Sequence, residues 1–155
     1  MMQLSKNFWL SEFTKSQTAT RLGLINMPNS AEIAALRQLS ERVLQPIRDH
    51  FGKPVVINSG YRSAVVNQRI GGAASSQHTR GEAADIEIPG ISNFELADWI
   101  RKNIEFDQLI LEGYNPAAGP SSGWVHVSYN NAPRKSVLTA TFQNGRASYT
   151  GGLNV

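Results

Sequence analysis

The sequence predicts an α+β domain, a mostly antiparallel sheet with helices packed on one side. Three observations carry that expectation. Apolar residues recur at helical spacing through Ile33, Leu36, Leu39, Val43, Leu44 and Ile47. Apolar and polar residues alternate with a period of two over 83–88 and 124–129, as strands with one buried face do. Helical segments come first, strands with helices between them follow, and a hairpin closes the chain.

Each element has its own warrant. Phe8, Trp9 and Phe13 make an aromatic start, with Ser11 placed to cap a short helix. Aromatics near a chain end are expected to dock on the core; contact with a polymer is the lesser reading. A second short helix is expected over 18–22, stopped by Gly23. Asn29 followed by Glu32 is an Asx form of the capping box, opening the long amphipathic helix that Pro46 should kink. Residues 54–58 read as a buried strand, and 63–70 as a helix ended by Gly71 and Gly72. A loop of small residues around His78 leads into the strand 83–88. There Ala84, Ile86 and Ile88 share one face, and Ala83, Asp85 and Glu87 the other. Ser92 with Glu95 opens another helix as a capping box. Strands are expected over 107–112 and 124–129. The hairpin pairs 136–142 with 147–150 around Asn144 and Gly145.

At 155 residues the chain is expected to form one domain over 1–155 with a real hydrophobic core. The lack of cysteine removes disulfides, cysteine-type zinc sites and thiol catalysis. No run reaches the ~20 apolar residues that span a bilayer. Residues 1–10 lack the pattern of a signal peptide. The net charge of +3 is small, and the basic residues are dispersed, which speaks against nucleic acid as a partner. A mildly basic surface suits an anionic partner such as bacterial cell-wall polymer, and serves solubility equally well.

His78 and Asp85 stand seven residues apart, and His126 follows in Trp124-Val125-His126-Val127-Ser128. Two imidazoles and a carboxylate are a ligand set of a catalytic zinc, with one position left for water. Taken singly, each is equally an ordinary polar residue. The third histidine, His50, lies near a helix C-terminus, where a cation is favourable anyway. A zinc hydrolase also needs a carboxylate to take a proton from water. From Gly113 onward there is no Asp or Glu. Glu112, at the end of its strand, is preferred. Glu87 and Asp107 are rivals, with Asp107 on the opposite face by period-2 counting, and Glu82 belongs to a turn. Arg62 follows a strand and a glycine turn, so its guanidinium can reach the cleft and grip a carboxylate in two-pronged fashion. An ion pair with Asp85 or Glu87 is its alternative. Ser76 and Gln77 can contact a peptide backbone or merely shape the loop.

The stretch Asn58-Ser59-Gly60-Tyr61-Arg62-Ser63, then Asn67, Gly71-Gly72, Ser76-Gln77-His78, Gly81, Ala83-Ala84-Asp85 and Trp124-Val125-His126-Val127-Ser128, closely resembles the zinc D-Ala-D-Ala carboxypeptidase family of peptidoglycan metallopeptidases. It looks most like the compact branch of phages and prophages, which also tends to begin with an aromatic segment. Fold relatives include D,D-dipeptidases, L-alanyl-D-glutamate endolysins and the hedgehog signalling domain. The resemblance implies one catalytic zinc ion on His78, Asp85 and His126, with Arg62 and Ser76 at the substrate. It implies hydrolysis of stem-peptide bonds in bacterial peptidoglycan by a monomer made in the host cytoplasm. The protein would meet the wall after release or as part of a phage particle. Better-known members carry Glu shortly before the second histidine. Here Pro120-Ser121-Ser122-Gly123 fills that place, and Glu112 is expected to substitute. That departure is the feature that supports the alternative of a non-catalytic wall-binding module with the same fold; a phage structural or assembly protein is the other alternative to the peptidase.

Overall fold

The computed structural model describes residues 2–155. The chain opens with a small antiparallel pair, β1 (Gln3–Ser5) and β2 (Phe8–Trp9). The short helices α1 (Leu10–Thr14) and α2 (Gln17–Leu22) follow. Ser11 does not cap α1. The helix starts one residue earlier, and the Glu12 carboxylate accepts from the backbone N–H of Trp9 at 2.8 Å. Gly23 ends α2 in the left-handed region at φ 66°. Leu4, Phe8 and Phe13 are almost fully buried, so the aromatic start does dock on the core.

Helix α3 (Ser30–Leu39) opens with the expected reciprocal cap: Asn29 and Glu32 exchange two hydrogen bonds of 2.8 Å. At Pro46 the structure shows a change of helix type. The proline sits in the first turn of α4 (Gln45–Phe51), and the preceding turn, Ser40–Leu44, widens to π-helical spacing. Proline has no N–H to give, and its ring crowds the carbonyl four residues back; a π turn absorbs that conflict.

A six-stranded sheet runs in the order β3, β4, β6, β5, β7, β8. Its members are β3 (Val56–Ser59), β4 (Ala83–Glu87), β5 (Gln108–Glu112), β6 (Trp124–Ser128), β7 (Ser136–Gln143) and β8 (Arg146–Gly151). All neighbours are antiparallel except β5 and β7. Helix α5 (Ala64–Arg69) follows β3, and α6 (Asn93–Asn103) follows β4. Only half of the Ser92 capping box forms: its Oγ accepts from Glu95 N at 2.9 Å. Strand β3 is a sheet edge rather than the buried strand expected. Val55 is buried, but Val56 is exposed. A run of β-branched residues reads alike at an edge and in the centre of a sheet.

The sheet has two dissimilar faces. Ala84, Ile86, Leu109, Leu111, Val125 and Val127 are fully buried and join one cluster with residues of α3, α4 and α6. Burying each large aliphatic side chain stabilises the fold by about 1.5–3 kcal/mol, so this face fixes which way the strands turn. The alternate residues, Asp85, Glu112, Trp124 and His126, must then point to the opposite face. At the closing turn Asn144 and Gly145 both have positive φ, at 53° and 75°. That is the primed turn whose twist matches the flanking strands.

Candidate metal centre and catalytic cleft

Strand pairing brings the first two residues together. Asp85 on β4 and His126 on β6 are direct cross-strand partners on the face away from the core. His126 Nδ1 lies 3.1 Å from Asp85 Oδ1. His78 arrives from a 3-10 turn, Gln77–Arg80, where Ser76 Oγ accepts from the backbone N–H of His78. Gly81 ends the turn at φ 73°, and a Cβ there would lie 2.5 Å from the Glu32 carbonyl oxygen, so the turn rests on α3. His78 is buried, and its Nε2 lies 3.4 Å from the same Asp85 oxygen. One ligand atom from each of the three residues falls within 4.8 Å of the others.

The hydrogen-bond pattern suits a cation at this point. His78 Nδ1 is 2.8 Å from the carbonyl oxygen of Gly60, which can only accept, so Nδ1 carries the proton. In the neutral ring Nε2 is then a lone pair facing a carboxylate oxygen. Two acceptors in that position need a positive charge between them. Orientation of a ligating imidazole through its other nitrogen is the usual arrangement at metal sites. Burial alone would raise the Asp85 pKa, yet the hydrogen bonds and charge that His126 and His78 offer when a proton fills the place of that cation hold it well below the ordinary carboxylate range. The residues therefore fit a divalent metal, and their two nitrogens and one oxygen fit zinc.

The Gly60 carbonyl is itself fixed from the N-terminal segment. Tyr61 N donates to Phe13 O at 2.7 Å, and a Cβ on Gly60 would lie 2.7 Å from Phe13 Cα. Arg62 N donates to His78 O at 3.1 Å, so the arginine is tied to the ligand turn. Arg62 Nη2 donates to Ser76 Oγ at 3.3 Å, while its buried Nε has no partner. Burial lowers the Arg62 pKa, and the charges of Asp85 and Glu112 oppose that. Among the described residues no ion pair joins Arg62 to a carboxylate, and the guanidinium keeps a donor for a ligand.

Glu112 stands two residues beyond Ile110, the cross-strand partner of His126, and so on the same face. Its Oε2 accepts from Trp124 Nε1 at 3.1 Å. Burial, reinforced by the negative charge of Asp85, raises its pKa; His126, Trp124 and Arg62 pull the other way. Arg62, His78, Asp85, Glu112, Trp124 and His126 line one open cleft of about 700 Å³.

The rival carboxylates are otherwise engaged. Asp107 precedes β5, so period-2 counting does not govern it, and its side chain joins the cleft wall instead of facing away. The Arg134 guanidinium grips it with two bonds, of 2.9 and 2.8 Å, its backbone N–H adds one at 3.1 Å, and Gln77 Nε2 a fourth at 3.0 Å. The bond from Arg134 is the main reason its pKa falls to about 2. Glu82 accepts from Gln77 and Arg80 and lines a neighbouring groove with residues of α3. Glu87 lines a separate groove with Ile88 and Pro89. The amide nitrogen of Gln77 is thus committed within the protein, and Ser76 Oγ is shared by the His78 turn and Arg62.

Sequence reasoning missed several contributors. Asn93, buried on α6, donates from Nδ2 to the carbonyls of Ser122 and Gly123 and so holds the turn ahead of β6. Arg134, Phe142 and Tyr149 come from a part of the chain with no motif. Strand periodicity could have placed Phe142 and Tyr149 on the cleft face only once the pairing of β5 with β7 was known.

An α+β sheet bearing a His/Asp/His group in an open cleft defines a metallopeptidase scaffold, and comparison with known proteins agrees. The profile of the Peptidase M15 family matches residues 6–128, so the chain belongs to that family. A curated relative, the zinc D-Ala-D-Ala carboxypeptidase of Streptomyces albus G, is 36% identical over 72 residues. That match covers 46% of this chain and 28% of the relative, so the chain spans well under half of that protein's length. Among the described residues no helix is long and apolar enough to cross a membrane.

Proposed function

We propose that this protein is a zinc-dependent peptidase that hydrolyses stem-peptide bonds of bacterial peptidoglycan, as a D,D-carboxypeptidase or an endopeptidase with an endolysin-like role. The observation that carries the reading is the convergence of His78, Asp85 and His126 within 4.8 Å, in a cleft shared with Glu112 and Arg62. His78 Nε2, Asp85 Oδ1 and His126 Nδ1 would hold one ion. Zinc, when bound, supplies Lewis acidity to the scissile carbonyl and acidifies a water molecule. Glu112 takes a proton from the attacking water on Oε1, since Oε2 is held by Trp124, and passes it to the departing amine. Its raised pKa suits a group that must both accept and return a proton. Arg62 holds a substrate carboxylate: the terminal one for a carboxypeptidase, a side-chain one for an endopeptidase. The relative's printed activity, a zinc D-Ala-D-Ala carboxypeptidase, supports this substrate class.

The test is to incubate purified peptidoglycan with the zinc-loaded protein and with a chelated sample, and to read the products by mass spectrometry. Loss of one alanine, abolished by chelation and restored by zinc, identifies a carboxypeptidase. Release of a longer stem segment identifies an endopeptidase. An unchanged wall after zinc loading sinks the proposal and favours a wall-binding or phage structural role.

A further inference from the structure

We propose that the C-terminal hairpin, β7 with β8, is a working part of the cleft: Phe142 fixes Trp124, and Trp124 fixes Glu112 in the orientation that accepts the proton. This rests on the functional reading above for the role of Glu112. It concerns a segment beyond residue 128, where the family match ends.

The chain of contacts is short. Glu112 and Trp124 are cross-strand partners on β5 and β6, and the indole Nε1–H reaches the carboxylate at 3.1 Å. On the other side of β5, β7 runs parallel, with Ala140 beside Glu112. Phe142 lies two residues further on the same face, and its ring stacks on the indole at 5.8 Å between centroids, with 28° between planes. Gly113 lies against the Phe142 ring, where a Cβ would meet it at 3.5 Å, and its backbone donates to Ala140 O at 2.9 Å. Gly123, just before the tryptophan, sits flat on β5: a Cβ there would lie 2.1 Å from the Glu112 carbonyl oxygen. Asn93 holds that turn from below.

Packing alone does not explain the pair. Phe142 is 45% exposed, so little core is gained by placing a phenyl ring there. Aromatic rings in offset contact attract beyond their buried area, and that attraction favours one indole rotamer. Trp124 gives the only side-chain hydrogen bond to Glu112 among the described residues. A carboxylate faced by the charge of Asp85 and free to rotate would swing toward solvent. The indole donor removes that freedom at Oε2 and leaves Oε1 toward the cleft. Trp124 and Phe142 are positioning residues; the proton moves on Glu112.

The test has a kinetic arm and one that needs no activity. Trp124→Phe keeps a ring for Phe142 and removes the donor. It should lower kcat by about 10- to 100-fold, the scale of a misplaced catalytic group, with KM and bound zinc unchanged. In a Glu112→Gln background the same change should add nothing. Phe142→Ala should cost a smaller factor in kcat, and Phe142→Tyr should restore it. Independently, the Trp124 indole N–H is followed by nitrogen-15 NMR. Glu112→Ala should shift its resonance, and Phe142→Ala should speed its exchange with water several-fold. An indole signal indifferent to both changes overturns the proposal, as does a Trp124→Phe loss that multiplies with Glu112→Gln. A responsive indole in a protein that hydrolyses nothing would sink the functional reading and uphold the support relation.

Discussion

Asp85 and Glu112 stand on the same sheet face, on the two strands that flank β6, yet their surroundings drive them apart. Asp85 is held well below the ordinary carboxylate range by two imidazoles, one its cross-strand partner and the other on the Gln77–Arg80 turn. Glu112, at the end of β5, meets burial and the charge of Asp85, which outweigh the opposing pull of His126, the Trp124 donor and Arg62, and its pKa rises. Two carboxyls pushed in opposite directions within one cleft divide into different tasks. The depressed one is suited to hold a cation permanently. The raised one is suited to exchange a proton. The comparison also shows that the two ends are supported differently. The His78 and Arg62 end is fixed mainly through backbone groups of Gly60, Phe13 and His78, with the Ser76 hydroxyl beside them. The Glu112 end is fixed through side chains of Trp124 and Phe142.

The sharpest way to break the comparison is to remove a group from the ligand end. His78→Ala should lose both zinc and hydrolysis, because the remaining pair offers two ligands where a stable catalytic site needs three. Metal analysis of the purified variant decides it: full zinc occupancy refutes the ligand role. Glu112→Gln should separate the two ends. Zinc stays at wild-type occupancy while turnover falls by about 10²–10⁴-fold, the usual contribution of a general base. A variant that lost its metal would place Glu112 among the ligands, and near wild-type turnover would reopen the choice among Glu82, Glu87 and Asp107.

These two ends were unequally legible in the sequence. Alternation fixed the facing of Asp85 and His126, because Ala84, Ile86, Val125 and Val127 have to be inside. The spacing of His78 before Asp85 placed a flexible turn near the same point. Glu112 could be chosen only by elimination, and what supports it was invisible. The parallel pairing of β5 with β7 is a tertiary event with no local signature, and without it Phe142 has no assigned neighbour. Asp107 was misjudged for a related reason: strand counting was carried one residue past the strand's start. Val56 was misplaced because edge and centre positions share β-branched composition.

Asp107 supplies the mildest test, on a third carboxylate in the same cleft. Unlike Asp85 it is held by a side-chain cation, and unlike Glu112 its pKa is lowered, to about 2 from an ordinary 3.8. The principal cause is the paired hydrogen bond from Arg134. A carboxyl whose folded pKa lies below its unfolded one adds stability that is complete above pH ~4 and fades as pH falls through about 2. A shift of that size corresponds to roughly 2 kcal/mol, but Arg134 is largely exposed and solvent screens it, so about 1 kcal/mol is expected. Urea unfolding of the metal-free protein at pH 5 and at pH 2 measures the loss. Asp107→Asn should lower stability at pH 5 and flatten the slope by that amount, leaving the contributions of other carboxyls in place. Parallel slopes for the two proteins would mean that the Arg134 grip holds position without adding stability.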